Sequence, residues 1–140
     1  MATVEVEAFT GALRGWGERA HQATKDGVQE AGSRLKDVIR DALGRSEYPP
    51  ASDPGTPPAR RSGALQDAVF QRTVELAGGY QERVYPSLVY ARIHELSGWA
   101  GKGHRSFLPK RPYVQPSLDA FRDDFRPIMI DAWREALPGG

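Results

Sequence analysis

The chain contains no cysteine, and this absence excludes a disulfide framework, a thiolate metal site and a cysteine nucleophile. An excess of one charge is also lacking, since 19 basic and 18 acidic residues leave a net charge of +1. A chain this close to neutral has no global basic field to attract nucleic acid. There is no run of about 18 apolar residues to span a membrane, and no charged-then-apolar signal segment at the start. We therefore expect a soluble protein that is made in a cytoplasm and has no membrane partner.

The length of 140 residues and the hydrophobic content of 39% predict one domain with a modest core. We expect an α+β fold in three parts, which are an N-terminal helical region over 1–46, a proline-rich arm over 47–64 and an α+β core over 65–140.

Residues 5–43 carry apolar side chains at steps of three and four, which predicts one long amphipathic helix. Such a helix extends roughly 57 Å, longer than a domain of this size is wide, so part of its apolar stripe is expected to pack on a partner subunit. Five glycines weaken it, each by about 1 kcal/mol relative to alanine. The alternative is a break at Asp26-Gly27 that gives two helices, over 5–25 and 28–43.

The stretch from residue 48 to residue 65 holds five of the eleven prolines. Proline fixes φ and removes a backbone donor, so this stretch can be neither helix nor central strand. We expect an extended, partly polyproline-like arm that is ordered without folding on itself. An arm of this kind in a short chain reaches across a neighbour, and the alternative is a surface linker between two helical pieces.

Alternation after the arm predicts a β-hairpin, with Phe70, Val74 and Leu76 on one face of its first strand. Gly78-Gly79 permits a tight reversal into a second strand over 80–85. In an alternative interpretation, residues 64–69 open with a helical turn.

Pro86-Ser87 then starts a short helix that Gly98 closes. Tyr113 and Val114 are expected to form a third strand, and Pro116-Ser117 starts a C-terminal helix. Pro127 is expected to kink or break that last helix. Its predicted apolar stripe is Leu118, Phe121, Phe125, Met129, Trp133 and Leu137.

Residues 97–112 form a glycine-rich segment with four Lys or Arg residues, in contrast to the neutral chain. Such a segment is typical of a loop presented to a partner. Nearby Trp99, Phe107 and Tyr113 would allow base stacking beside phosphate contacts. An acidic partner subunit fits the near-neutral chain better than nucleic acid does.

Three motifs follow one another along residues 48–122, namely Ser62-Gly63-Ala64-Leu65 after the prolines, Tyr90–Gly98, and Arg111–Leu118. Their order and spacing resemble those of the small head–tail joining (neck) or tail-completion proteins of tailed bacteriophages.

The resemblance implies a structural virion protein at the head–tail junction, not an enzyme, with no cofactor and no metal. It implies a ring of six or twelve copies that contacts other neck proteins on its adaptor or portal side and on its tail-tube side. DNA passes through the centre of such a ring, so basic loop residues would line the channel without sequence specificity. The alternatives are a small nucleic-acid-binding module and a partner-binding adaptor.

The candidate contact residues fall into three groups. In the arm they are Pro49, Pro50, Pro57, Pro58, Arg60 and Arg61. On the long helix they are Trp16 and Leu35. In the loop that would meet a partner or a DNA channel they are Lys102, Arg105, Lys110, Arg111 and Tyr113.

The remaining polar residues form no catalytic or metal-binding pattern in the sequence. Of the three histidines His21, His94 and His104, none has a second histidine four residues away as a zinc-protease helix requires. Ser62-Gly63 lacks the glycine pattern around a strained catalytic serine. We therefore expect surface or interface histidines and no catalytic residue.

Overall fold

The computed structural model describes residues 2–137, and its first element is a single helix, α1, over Ala2–Leu43. The prediction of one long helix is confirmed, and the alternative break at Asp26-Gly27 is wrong. The helix ends where the backbone N–H of Gly44 turns back to the carbonyls of Arg40 and Asp41, each at 3.1 Å.

Two glycines of α1 lie where the C-terminal helix and the β-hairpin approach it most closely. The packing of these elements on α1 offsets the low helix propensity of glycine. A Cβ at Gly27 would come within 2.8 Å of the Met129 sulfur, and a Cβ at Gly32 would collide with the side chain of Glu82. Glycine at these positions lowers the helix propensity of α1, but its missing Cβ allows the neighbouring side chains to pack closely.

The C-terminal helix, α4, spans Val114–Ala136 and runs antiparallel to α1. Its direction follows from its contacts, because Met129 packs at Gly27 while the Trp133 Nε1 donates to Thr24 Oγ1 at 3.0 Å, one turn nearer the start of α1. The helix continues through Pro127, so the predicted break is wrong. Of the predicted stripe, Phe121 and Met129 are buried, whereas Leu118, Phe125 and Trp133 stay partly exposed.

The predicted hairpin is confirmed as β1 over Val69–Leu76 and β2 over Gly79–Pro86, joined by Ala77 and Gly78. A short helix, α2, over Ala64–Asp67 precedes it, as the alternative interpretation of residues 64–69 held.

The face of the hairpin that packs against α1 is mixed, with Val69 and Val84 in the core and polar side chains beside them. Gln29 Nε2 on α1 donates to Thr73 Oγ1 at 2.9 Å, and that hydroxyl donates to Glu82 Oε2 at 2.7 Å. Gln71 Nε2 donates to the other oxygen of Glu82 at 3.1 Å. The alternation was predicted correctly, but the apolar face that carries Phe70 points away from the helix.

The remaining elements are helix α3 over Ala91–Leu96, strand β3 over Gly98–Ala100, a 3₁₀ turn over Lys102–His104, and strand β4 over Ser106–Leu108. Strands β3 and β4 pair antiparallel in a second two-stranded sheet. The prediction of a third strand at Tyr113 and Val114 is therefore wrong. Their backbone N–H groups donate to the Glu95 carboxylate, at 2.8 and 3.0 Å, and not to a strand.

The core consists of two clusters along α1. Ile39, Leu43, Val69 and Tyr113 form one, and Ala31, Phe121 and Ile128 form the other. Leu35 packs against both clusters. Among residues 2–137, no helix has the length and apolar character needed to cross a membrane.

Candidate interaction surfaces

The N-terminal part of α1 projects beyond the elements that pack on the rest of the helix. The hairpin reaches α1 near His21, where Tyr80 Oη and His21 Nε2 lie 2.6 Å apart, and α4 ends beside Arg19. Residues 10–14 and 16–19 are all exposed. We call residues 2–19 the projecting segment, and as a helix it extends about 27 Å.

The projecting segment carries exposed apolar side chains. Leu13 and Trp16 are each 47% exposed and, three residues apart, lie on the same side of the helix. Trp16 is thus available for contact with a partner. Leu35, the other helix residue in the sequence prediction, is partly buried and packs against both core clusters of its own chain.

The arm over 47–64 folds back on itself, contrary to the prediction. The Tyr48 N–H donates to the Arg60 carbonyl at 2.8 Å, and the Arg60 N–H donates to the Ser46 carbonyl at 2.7 Å. Midway, the Gly55 N–H donates to the Lys110 carbonyl at 2.8 Å. Prolines remove donors only at their own positions, so the residues between them can still tie the arm down.

The six arm residues of the sequence prediction differ in accessibility. Pro49 and Pro50 are exposed, Pro57 is half-buried and Pro58 is buried. Arg60 pairs with the Glu47 carboxylate at 3.3 Å, and the exposed Arg61 places its guanidinium 3.9 Å from the Tyr48 ring centroid. Pro58 is therefore the one of these six that the fold removes from the surface.

The basic loop forms a small hairpin over residues 98–108, which we call the finger. Trp99 and Phe107 pair across it with ring centroids 5.4 Å apart, and they are 59% and 54% exposed. Lys102 and Arg105 are exposed in its turn, and Lys110 is exposed just beyond it. Aromatic and basic side chains are thus presented together.

The last two residues of the predicted loop site have structural roles. The Arg111 N–H donates to the His94 carbonyl at 2.7 Å, and its Nε donates to the Ser52 carbonyl at 2.9 Å. Tyr113 is fully buried, and burial, followed by the nearby Glu95, raises the pKa of its hydroxyl. The prediction of Tyr113 as a contact residue is wrong.

The outer face of the β1–β2 hairpin is a candidate surface that the sequence interpretation missed. Phe70 and Tyr85 pair across it and are 49% and 42% exposed, and Arg72 lies directly opposite Arg83. Like charges placed opposite each other destabilise a hairpin, whereas aromatics and arginine are enriched at protein interfaces. The register set by a two-residue turn would have revealed this pairing.

The three histidines lie in different parts of the fold. His21 bonds to Tyr80, and His104 is exposed in the turn of the finger. His94 is half-buried between the arm and the finger, and burial, then the charges of Arg111 and Arg61, lowers its pKa below 6.5. Within residues 2–137, no three His, Asp or Glu side chains group as metal ligands do.

No protein-family model, no curated protein and no solved structure matches this chain.

Proposed function

We propose that this chain is a structural subunit of the head–tail junction of a tailed phage, and that it assembles with copies of itself into a ring as a neck, connector or tail-completion protein. The observation that carries the proposal is the projecting segment of α1. The motifs over residues 48–122 resemble those of phage joining proteins, and this resemblance is the reason for proposing a phage structure.

The projecting segment is a poor helix by itself. Gly11, Gly15 and Gly17 each cost about 1 kcal/mol relative to alanine, and isolated helices of this length are marginal in water. Leu13 and Trp16 leave apolar area in solvent on one side of it. Burying that side against a neighbouring subunit would stabilise the segment, and a head-to-tail contact of this kind closes into a ring when the rotation permits.

The test is the mass in solution by light scattering over a range of concentrations, followed by electron microscopy of the largest species. We expect a closed ring of six or twelve copies for the native chain and dissociation for a Leu13→Ala/Trp16→Ala variant. The matched control is Arg14→Ala/Glu18→Ala, which changes exposed polar residues of the same segment.

Two outcomes would count against the proposal. If the Leu13→Ala/Trp16→Ala variant assembles as the native chain does, the projecting segment is not part of the interface. A native chain that stays monomeric at every concentration, and also with virion partners added, would favour the partner-binding adaptor.

A nucleic-acid-binding role is the second candidate, and the finger is the observation that favours it. Trp99 and Phe107 are exposed beside Lys102 and Arg105, which suits stacking and phosphate contact. Fluorescence anisotropy with a labelled oligonucleotide would test it at several salt concentrations. Binding by the isolated chain that falls steeply with salt and is lost in Trp99→Ala/Arg105→Ala would support this role.

A further inference from the structure

A small pocket of about 200 Å³ lies where the arm meets the end of α3 and the residues after the finger. We call it the arm pocket. Ser52 and Arg61 line it from the arm, and His94 and Arg111 line it from the other side. It is too small for a nucleotide and large enough for one acidic group with its first waters.

Two residues that line this pocket each carry a buried side-chain atom without a hydrogen-bond partner. Among residues 2–137 only three side-chain atoms are in this condition, and two of them, Ser52 Oγ and His94 Nδ1, belong to residues that line the arm pocket. A buried polar group without a partner costs about 1–3 kcal/mol, so each of these two atoms calls for a further partner, such as an ion or a water molecule.

The charge in the arm pocket is positive. Arg61 and Arg111 line it, and none of its described lining residues is Asp or Glu. The Nε of Arg111 is used by the Ser52 carbonyl, which leaves its two terminal amino groups for a ligand. Arg61 stacks on Tyr48. The N–H groups of a stacked guanidinium point outwards in its own plane, so they remain free to donate to a ligand.

These two positive charges also change the pKa of His94. After burial, Arg111 and then Arg61 lower the pKa of its imidazole, so both guanidinium charges act at that position. An anion placed among them would be attracted by both.

We propose that the arm pocket binds a small oxyanion, a carboxylate or phosphate group, which pairs with Arg61 and Arg111 and accepts hydrogen bonds from Ser52 Oγ and His94 Nδ1. The planar fork of arginine suits the oxygens of either group. A neutral imidazole donates from Nδ1 in one of its two tautomers, and bound anion selects that tautomer.

The experiment is an NMR titration of the native chain that follows the histidine ring signals. The chain has three histidines, so His94 can be assigned with a His94→Gln variant, while His21 and His104 serve as internal controls because neither lines the pocket. The probes are acetate and inorganic phosphate, with chloride added separately to match the ionic strength.

A saturable shift confined to the His94 signals is the expected result. Saturation by acetate would identify a carboxylate as the natural group, and saturation by phosphate alone would identify a phosphate. Replacing Arg61 with glutamine removes one charged donor and should weaken binding by about tenfold. Ser52→Ala should weaken it as well, while Arg105→Gln, an exposed arginine of the finger, should leave it unchanged.

Absence of a saturable shift with both probes would overturn the proposal, as would equal binding by native chain and Arg61→Gln. These outcomes are independent of ring formation, because the titration reports on one subunit and light scattering reports on assembly.

Discussion

Replacing Gly32 with alanine tests how α1 packs against β2. The added Cβ would collide with Cγ of Glu82 and lie 3.1 Å from its Cδ. Cγ is near the backbone of β2, so the collision cannot be relieved by moving only the tip of the side chain. The two carboxylate oxygens are also fixed, by Thr73 at 2.7 Å and by Gln71 at 3.1 Å.

Opposing contributions determine the change in the free energy of unfolding. Alanine is favoured over glycine in a helix by about 1 kcal/mol. Overpacking costs about 1–3 kcal/mol, and each hydrogen bond to the carboxylate contributes about 1.5–3 kcal/mol before a discount for partial exposure. We expect Gly32→Ala to lower the free energy of unfolding by about 2 kcal/mol, which lowers Tm by about 7 °C.

Gly17→Ala is the matched control in the same helix. A Cβ at Gly17 meets nothing within 4 Å, so the propensity term acts alone and the variant should be at least as stable as the native chain. Both are measured by urea unfolding followed by circular dichroism, at one protein concentration because assembly would add to stability. A Gly32→Ala chain as stable as Gly17→Ala would refute the close packing on Glu82.

Two further predictions concern Glu95 and His94. The Glu95 carboxylate accepts the N–H groups of residues 113, 114 and 115 at 2.8–3.0 Å, so Glu95→Ala should lower the free energy of unfolding by about 2–3 kcal/mol in the same urea assay. Glu135→Ala, at an exposed site near the other end of α4, should change it by less than about 0.5 kcal/mol, and equal effects would contradict the capping role. Since the pKa of His94 is lowered below 6.5, the unfolded chain binds a proton that the folded chain resists. Stability should therefore decrease as the pH falls below 6.5, until the folded pKa is passed. His94→Gln should remove that part of the pH dependence, and a variant curve parallel to the native one would show that another group is responsible.

Local patterns predicted the elements that depend on local interactions. The long helix, the hairpin, the short helix and the C-terminal helix all follow from periodicity and turn residues. The faces were harder to predict, because the polar face of β1 is buried by Gln29, which lies 44 residues before Thr73. A contact over this sequence distance cannot be predicted from the alternation of polar and apolar residues along β1.

The candidate site was predicted less well for the same reason. Tyr113 was predicted as a strand residue or a loop aromatic, but its side chain packs in the core with Ile39 and Val69. Its backbone N–H donates to Glu95, 18 residues earlier. The arm reads as extended because its prolines lack donors, and it folds back through Tyr48, Gly55 and Arg60. Residue types identified Arg61 and the basic residues of the finger as exposed, since long charged side chains are rarely buried in a core. Trp16 belongs to the predicted apolar stripe and is nevertheless 47% exposed, on the projecting segment.

Arg111 joins three parts of the chain at one residue, since its N–H reaches α3 and its Nε reaches the arm, while it lies three residues beyond the end of the finger. A load on the finger is therefore transmitted to the arm through the hydrogen bond from Arg111 Nε to the Ser52 carbonyl, without passing through the apolar core. Arm and finger should shift together as one mechanical unit, so that a partner that displaces either one also repositions the other.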